Sequence, residues 1–118
     1  MRFEKISFKN KTKINMFDGG INVGSIDLYY YKSDNLTWIG NFEIKKQFRG
    51  QGLGTKLFNY ALQKGANALC VKPDNKVAIH MYKTSGFKKV GQNKGMDIML
   101  HKSAKPSESF LKNLAKTK

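Results

Sequence analysis

The stretch Arg49-Gly50-Gln51-Gly52-Leu53-Gly54 constrains this chain more than any other. Before it lies Leu36-Thr-Trp-Ile-Gly-Asn-Phe-Glu-Ile44, a β-branched and aromatic run that reads as a strand. After it Leu53, Leu57, Phe58, Ala61 and Leu62 recur at helical spacing as far as Gly65, a natural stop. The glycines therefore fall where a strand ends and a helix begins. Such a junction presents unpaired backbone N–H groups and the positive end of a helix dipole, which suits a phosphate. Glycine lets the backbone approach an anion and tolerates positive φ. Arg49 adds a charge for a second phosphate oxygen. A Walker loop needs four residues between its glycines and then Gly-Lys-Ser/Thr, an order that Gly54-Thr55-Lys56 fails. The dinucleotide fingerprint fails too, because Gly50, Gly52 and Gly54 are evenly spaced by two. A glycine turn without a ligand stays open on this segment alone.

The rest of the chain alternates short strands and short helices. Phe3, Ile6 and Phe8 mark an edge strand over Met1 to Phe8, and Lys9-Asn-Lys11 a turn. A short strand over Lys13 to Phe17 runs into Asp18-Gly19-Gly20, a strong hairpin signal. The strand Ile21 to Tyr31 changes phase at Gly24, which predicts a β-bulge there. Ser33-Asp-Asn35 turns the chain into the Leu36 to Ile44 strand, so the first 45 residues form an antiparallel meander. Beyond a Gly52 to Lys64 helix, Ala68-Leu-Cys-Val71 reads as a buried strand, with Cys70 a small buried hydrophobe. Asn75 caps a helix carrying Ala78, Ile79 and Tyr82 on one face and ending at Gly86, with His80 facing solvent. Phe87 to Val90 is a strand, Gly91-Gln-Asn-Lys-Gly95 a turn, and Met96 to His101 a strand with Ile98 and Leu100 on one side. From Pro106 the chain reads either as an amphipathic turn or two around Phe110, Leu111 and Leu114, or as a mobile basic tail.

At 118 residues the chain is one domain with enough core to need neither disulfide nor metal. Its single cysteine excludes an intramolecular disulfide and fits a reducing cytoplasm. No apolar run reaches the length of a membrane span, and the N-terminus lacks the apolar core of a signal peptide, so the expectation is a cytoplasmic protein. His80 and His101 have no cysteine or carboxylate at ligand spacing, and no metal is expected. The net charge of +14 attracts polyanions: nucleic acid, anionic membrane, acidic proteins or a phosphorylated cofactor. The lysines are scattered, and no named nucleic-acid motif accompanies them.

The order strand, Arg-x-x-Gly-x-Gly, helix, strand, Asn, helix with Tyr, Gly-Phe, strand resembles the GNAT superfamily of acetyl-CoA-dependent N-acyltransferases. The likeness rests on Arg49 to Gly54 and on Asn75-x-x-Ala78-x-x-x-Tyr82-x-x-x-Gly86-Phe87, and it runs from about Leu36 to Leu100. The fold it implies is α+β: a mixed, mostly antiparallel central sheet of about seven strands with two main helices. It further implies a domain over residues 1–102, leaving 103–118 as a basic tail or short helix.

By the same resemblance, the backbone of Gly50, Gln51, Gly52, Leu53 and Gly54 would hold the pyrophosphate of CoA, with Arg49 at the entrance. The main chain of Phe42, Glu43 and Ile44 would pair with the pantetheine arm as an added strand, which in the family splays from the Ala68 to Val71 strand to make room for the thioester. Asn75 would bond the pantetheine region, and Tyr82 would protonate the departing thiolate. A strand N–H around Ile44 can serve the oxyanion.

Two departures from the family pattern matter. Members that acetylate protein N-termini commonly carry a glutamate where this chain has Cys70, so the usual general base is absent. Leu36 to Asn41 offers no carboxylate in its place; Glu43 is the nearest, and Asp97 a distant second. Most members also place two helices between their first two strands, where Lys9-Asn-Lys11 leaves room for a turn. That favours an open acceptor side, suited to a flat macromolecular surface or completed by a second subunit in a homodimer. The expected function is N-acetyl transfer from acetyl-CoA to an amine; the alternative is a non-catalytic adaptor that keeps the fold and binds nucleic acid or CoA.

Overall fold

Short loops of two to four residues shape the meander at the start of the chain. The structure, a computed structural model, describes residues 1–116. Strand β1 (Arg2–Ser7) turns into β2 (Lys11–Asp18), with the Phe8 N–H donating to the Lys11 carbonyl at 2.7 Å. At the next corner Gly19 and Gly20 have φ of +58° and +87°, the pair of left-handed residues that a tight hairpin demands, and β3 (Ile21–Tyr31) returns antiparallel. Met16 then faces Gly24 while Phe17 faces Asn22, so β3 holds one extra residue beside Gly24. The bulge expected from the change of phase is present. Glycine is needed there for space: a Cβ on Gly24 would lie 2.7 Å from the Glu43 carbonyl oxygen.

The chain forms a seven-stranded sheet of order β1-β2-β3-β4-β5-β7-β6, where β4 is Leu36–Ile44, β5 Ala68–Val71, β6 Phe87–Asn93 and β7 Met96–His101. β4 meets β5 in parallel at Trp38 opposite Ala68, while β5, β7 and β6 are antiparallel. This is the mixed, mostly antiparallel sheet expected. Three helices accompany it: α1 (Leu53–Gln63), α2 (Lys76–Thr84) and α3 (Glu108–Lys116). The chain divides into two compact units, Met1–Tyr30 with Ile39–Ala66, and Tyr31–Trp38 with Asn67–Lys118.

In the first unit Ile14, Met16, Val23, Ile26 and Leu28 project from one face of the meander onto Leu53, Leu57 and Ala61 of α1. The four-residue repeat of those helical positions is what aligns them in a stripe. Phe3 stacks on Tyr60 at 4.0 Å between ring centres, which closes one end of this core.

In the second unit Leu36, Ala68, Ile98, Leu100 and Phe110 form the core, with Trp38, Val90 and Leu114 against it. Here the structure corrects the sequence reading. β6 continues through Gly91 to Asn93, and the turn is reduced to Lys94 and Gly95, both with positive φ. Gly91 sits inside the strand because the Leu114 side chain lies 2.7 Å from where its Cβ would be. Asp97 to Leu100 are all buried, so β7 is covered on both faces and not only along Ile98 and Leu100. Of the two readings of the last segment, the helix is observed. Ser107 caps α3 by accepting from the Phe110 N–H at 3.1 Å, and its own N–H donates to the Asp34 carbonyl at 2.8 Å. The final two positions of the expected 103–118 segment, Thr117 and Lys118, lie outside the described residues.

Candidate active site

After β4, a single 3₁₀ turn over Lys46–Phe48 delivers the chain to Arg49. Gly50 and Gly52 follow with φ of +82° and +77°, and Gln51 is exposed between them. Backbone of that sign is strained for any residue with a Cβ. A Cβ at either glycine would meet nothing within 4 Å, so conformation and not crowding requires them, and the space above the loop is open. Gly52 is the N-cap of α1; no side chain caps the helix there, and no acidic residue occupies its first turn. Leu53, 5% exposed, anchors that turn in the core. The result is an exposed helix start without a side-chain cap, whose positive dipole end suits an external anion. Gly54 differs from its neighbours. It lies within the helix, and a Cβ there would make ordinary contacts with Ile44 at 3.7 Å and Phe42 at 3.9 Å.

The tip of β4 is tied to this loop. Arg49 Nε donates to the Ile44 carbonyl at 2.8 Å, so the arginine braces the strand end while its guanidinium remains exposed. The Lys45 N–H donates to the Val23 carbonyl at 2.9 Å. Phe42 reaches into the core toward Phe58, with ring centres 6.0 Å apart. Glu43 points to solvent, and no polar side chain holds its carboxylate among the contacts described.

Asn75 and Tyr82 belong to the second unit. Asn75 caps α2 as expected, its Oδ1 accepting from the Ala78 N–H at 3.2 Å, and it is exposed. Tyr82 is buried to 9% exposure, its ring 6.3 Å from that of Phe87. Burial pushes the Tyr82 phenol above its ordinary 10.0, so it carries its proton throughout the neutral range. Cys70 corrects the sequence reading: it is exposed, although the other three residues of β5, Ala68 on the same face included, are buried. Partial burial still raises its thiol pKa, which makes it a weak nucleophile. His80 is exposed as read. Asp97 is already engaged. Its Oδ1 accepts from Gln92 Nε2 at 2.9 Å and pairs with Lys89 at 3.3 Å. The Gln92 bond, with Lys89 adding to it, holds its pKa below the usual carboxylate value, which leaves a poor base.

The sequence reading missed Asp27. This β3 carboxylate is 1% exposed, and Lys13 stands opposite it in the ladder with Nζ 3.6 Å away. Its Oδ2 accepts from Asn41 Nδ2 at 2.8 Å. An aspartate between Ile26 and Leu28 reads as the solvent face of an alternating strand. The signal that could have found it is the cross-strand Lys13 pairing, which the Gly19-Gly20 hairpin and the Gly24 bulge fix together.

A family model described as Acetyltransferase (GNAT) family matches residues 3–87. This chain belongs to the GNAT acetyltransferase family. No curated protein sequence matches it. Among solved structures, PaiA N-acetyltransferase from Thermoplasma acidophilum, in complex with coenzyme A, is 21% identical with a TM-score of 0.66; the match covers 78% of this chain and 60% of that one. PH1933 from Pyrococcus horikoshii OT3 is 27% identical with a TM-score of 0.64, over 75% of this chain and 63% of that one. A GNAT family acetyltransferase from Elizabethkingia anophelis with acetyl-CoA bound is 15% identical with a TM-score of 0.67, over 78% and 76% respectively. The chain thus spans less than two thirds of the first two. Between β1 and β2 of this GNAT chain stand only Phe8 to Asn10.

Proposed function

We propose that this protein transfers an acetyl group from acetyl-CoA to an amine, with a macromolecular acceptor favoured. The observation that carries the reading is the open, uncapped helix start at Gly50 and Gly52, two left-handed glycines with free space above them and Arg49 beside them. That donor set fits a pyrophosphate: several N–H groups, a dipole and one guanidinium, with no acidic group in the first helical turn. Family membership supports the identity of the anion, since solved relatives are described with coenzyme A and acetyl-CoA bound.

When bound, acetyl-CoA supplies an activated acyl carbon and a good leaving group. The protein's residues do the rest. Gly50 to Gly54 and Arg49 hold the pyrophosphate, and the main chain of Phe42 to Ile44 aligns the pantetheine arm and offers an N–H to the carbonyl oxygen as negative charge develops there. Glu43, the exposed carboxylate on this strand, takes the proton of the attacking amine directly or through water. Tyr82 gives its proton to the departing sulfur, and Asn75 steadies the arm. With a turn in place of helices between β1 and β2, the acceptor side stays open to a large substrate.

Isothermal titration with acetyl-CoA tests the binding half. Heat of binding in the micromolar range is expected; none at high micromolar ligand would overturn the assignment. Thiol release that depends on added amine separates the enzyme from an adaptor that only binds CoA or nucleic acid.

A further inference from the structure

Asp27 and Asp97 are the buried carboxylates among the described residues. Asp97 serves its own hairpin through Gln92 and Lys89. Asp27 instead reaches across to β4. A charge this buried costs free energy unless partners offset it, and Asp27 has Lys13 at 3.6 Å, Lys11 at 3.8 Å, the Tyr29 hydroxyl at 3.5 Å and Asn41 Nδ2 at 2.8 Å. The Asn41 bond is the short one.

Asn41 is also the unusual residue of its strand, with φ of +46°. Ile39 and Phe42 enter the same core although they are three residues apart, so β4 changes phase across Gly40-Asn41. Gly40 leaves no slack, since a Cβ there would lie 2.8 Å from the Tyr29 ring. Past this point the strand is held again: Lys45 N–H to Val23, Arg49 to the Ile44 carbonyl, and Glu43 close against Gly24. Phe42 to Ile44 therefore lie between two fixed points, and the direction of their amides depends on the left-handed residue at the first.

We propose that Asp27 is a positioning residue for the cofactor: by binding the Asn41 carboxamide it holds the phase change in β4, and so aims the backbone of Phe42 to Ile44 at the pantetheine arm. This rests on the assigned use of acetyl-CoA.

The test compares Asp27→Ala, Asn41→Ala and Asn41→Gly by titration with acetyl-CoA, and with ADP, which carries a pyrophosphate but no pantetheine arm. Asp27→Ala and Asn41→Ala are expected to weaken acetyl-CoA about tenfold or more, the worth of a hydrogen bond to a charged group. ADP affinity should stay within about twofold, because the glycine loop is untouched. Asn41→Gly adopts positive φ without help and should keep acetyl-CoA binding within about threefold. Equal weakening by Asn41→Gly and Asn41→Ala, or full affinity in Asp27→Ala, overturns the inference. So does parallel loss of ADP and acetyl-CoA, which marks a general loss of fold. The amide resonances of Phe42, Glu43 and Ile44 in the free protein read the same geometry without ligand. They should move in Asp27→Ala and Asn41→Ala and stay near their native positions in Asn41→Gly. If the native protein binds no acetyl-CoA, the assigned function fails; if those resonances do not move, this inference fails.

Discussion

Tyr82 combines burial with a helix position fixed by the Asn75 cap, and its ionisation gives a sharp test of its role. Its pKa is raised above 10.0, so the phenol stays protonated until the pH passes that value. Turnover limited by this donor should hold across neutral and mildly alkaline pH and fall only above pH 10.0. A rate profile that falls near neutrality would assign the proton to another group. Tyr82→Phe should lower kcat by about a hundredfold while leaving acetyl-CoA affinity unchanged. Asp97 behaves oppositely. Its folded pKa lies below the unfolded value, so it stabilises the fold above that value and the contribution is lost as pH falls through the folded pKa. Asp97→Asn should therefore lower Tm at pH 7, with the deficit shrinking in thermal scans as the pH is taken below 3.8. Gly54 refines the loop: Gly54→Ala should keep native Tm, whereas Gly52→Asp should abolish acetyl-CoA binding through bulk, strained φ and charge.

Elements were legible in the sequence where their causes are local. The Gly19-Gly20 corner, the Gly24 bulge, the limits of β4 and β5, and the Gly52 and Asn75 starts of α1 and α2 each depend on a few neighbouring residues. The misreadings share a nonlocal cause. Gly91 looked like a turn residue because its real partner, Leu114, lies in a helix 23 positions later, and no local pattern shows that. Cys70 looked buried by the company of Ala68, Leu69 and Val71, yet it alone of the four is exposed. The loop half of the candidate site was readable for the same local reason, while Asp27 and Asn41 required the pairing of three strands. α1 shows how much one local stripe contributes: Leu57 is 0% exposed, and Leu57→Ala should cost about 3 kcal/mol in denaturant unfolding by leaving a cavity.

At the scale of the whole molecule, the charge of +14 and an anionic ligand together predict salt dependence. The kcat/KM for acetyl-CoA should fall as salt rises from about 0.01 M to 0.15 M, where the screening length shrinks from about 30 Å to about 8 Å. A flat response would mean that the lysines serve solubility or an acceptor and not the donor. The last described helix has a separate consequence, one of timing. Phe110 and Leu114 complete the second core, and the segment before them is fastened by the Asn35 side chain donating to the Lys105 carbonyl and by the Asp34 carbonyl accepting from Ser107. During synthesis those residues emerge from the ribosome after every strand they cover. Leu36, Ile98 and Leu100 must therefore wait, exposed and adhesive, until Phe110 and Leu114 have been made and can cover them.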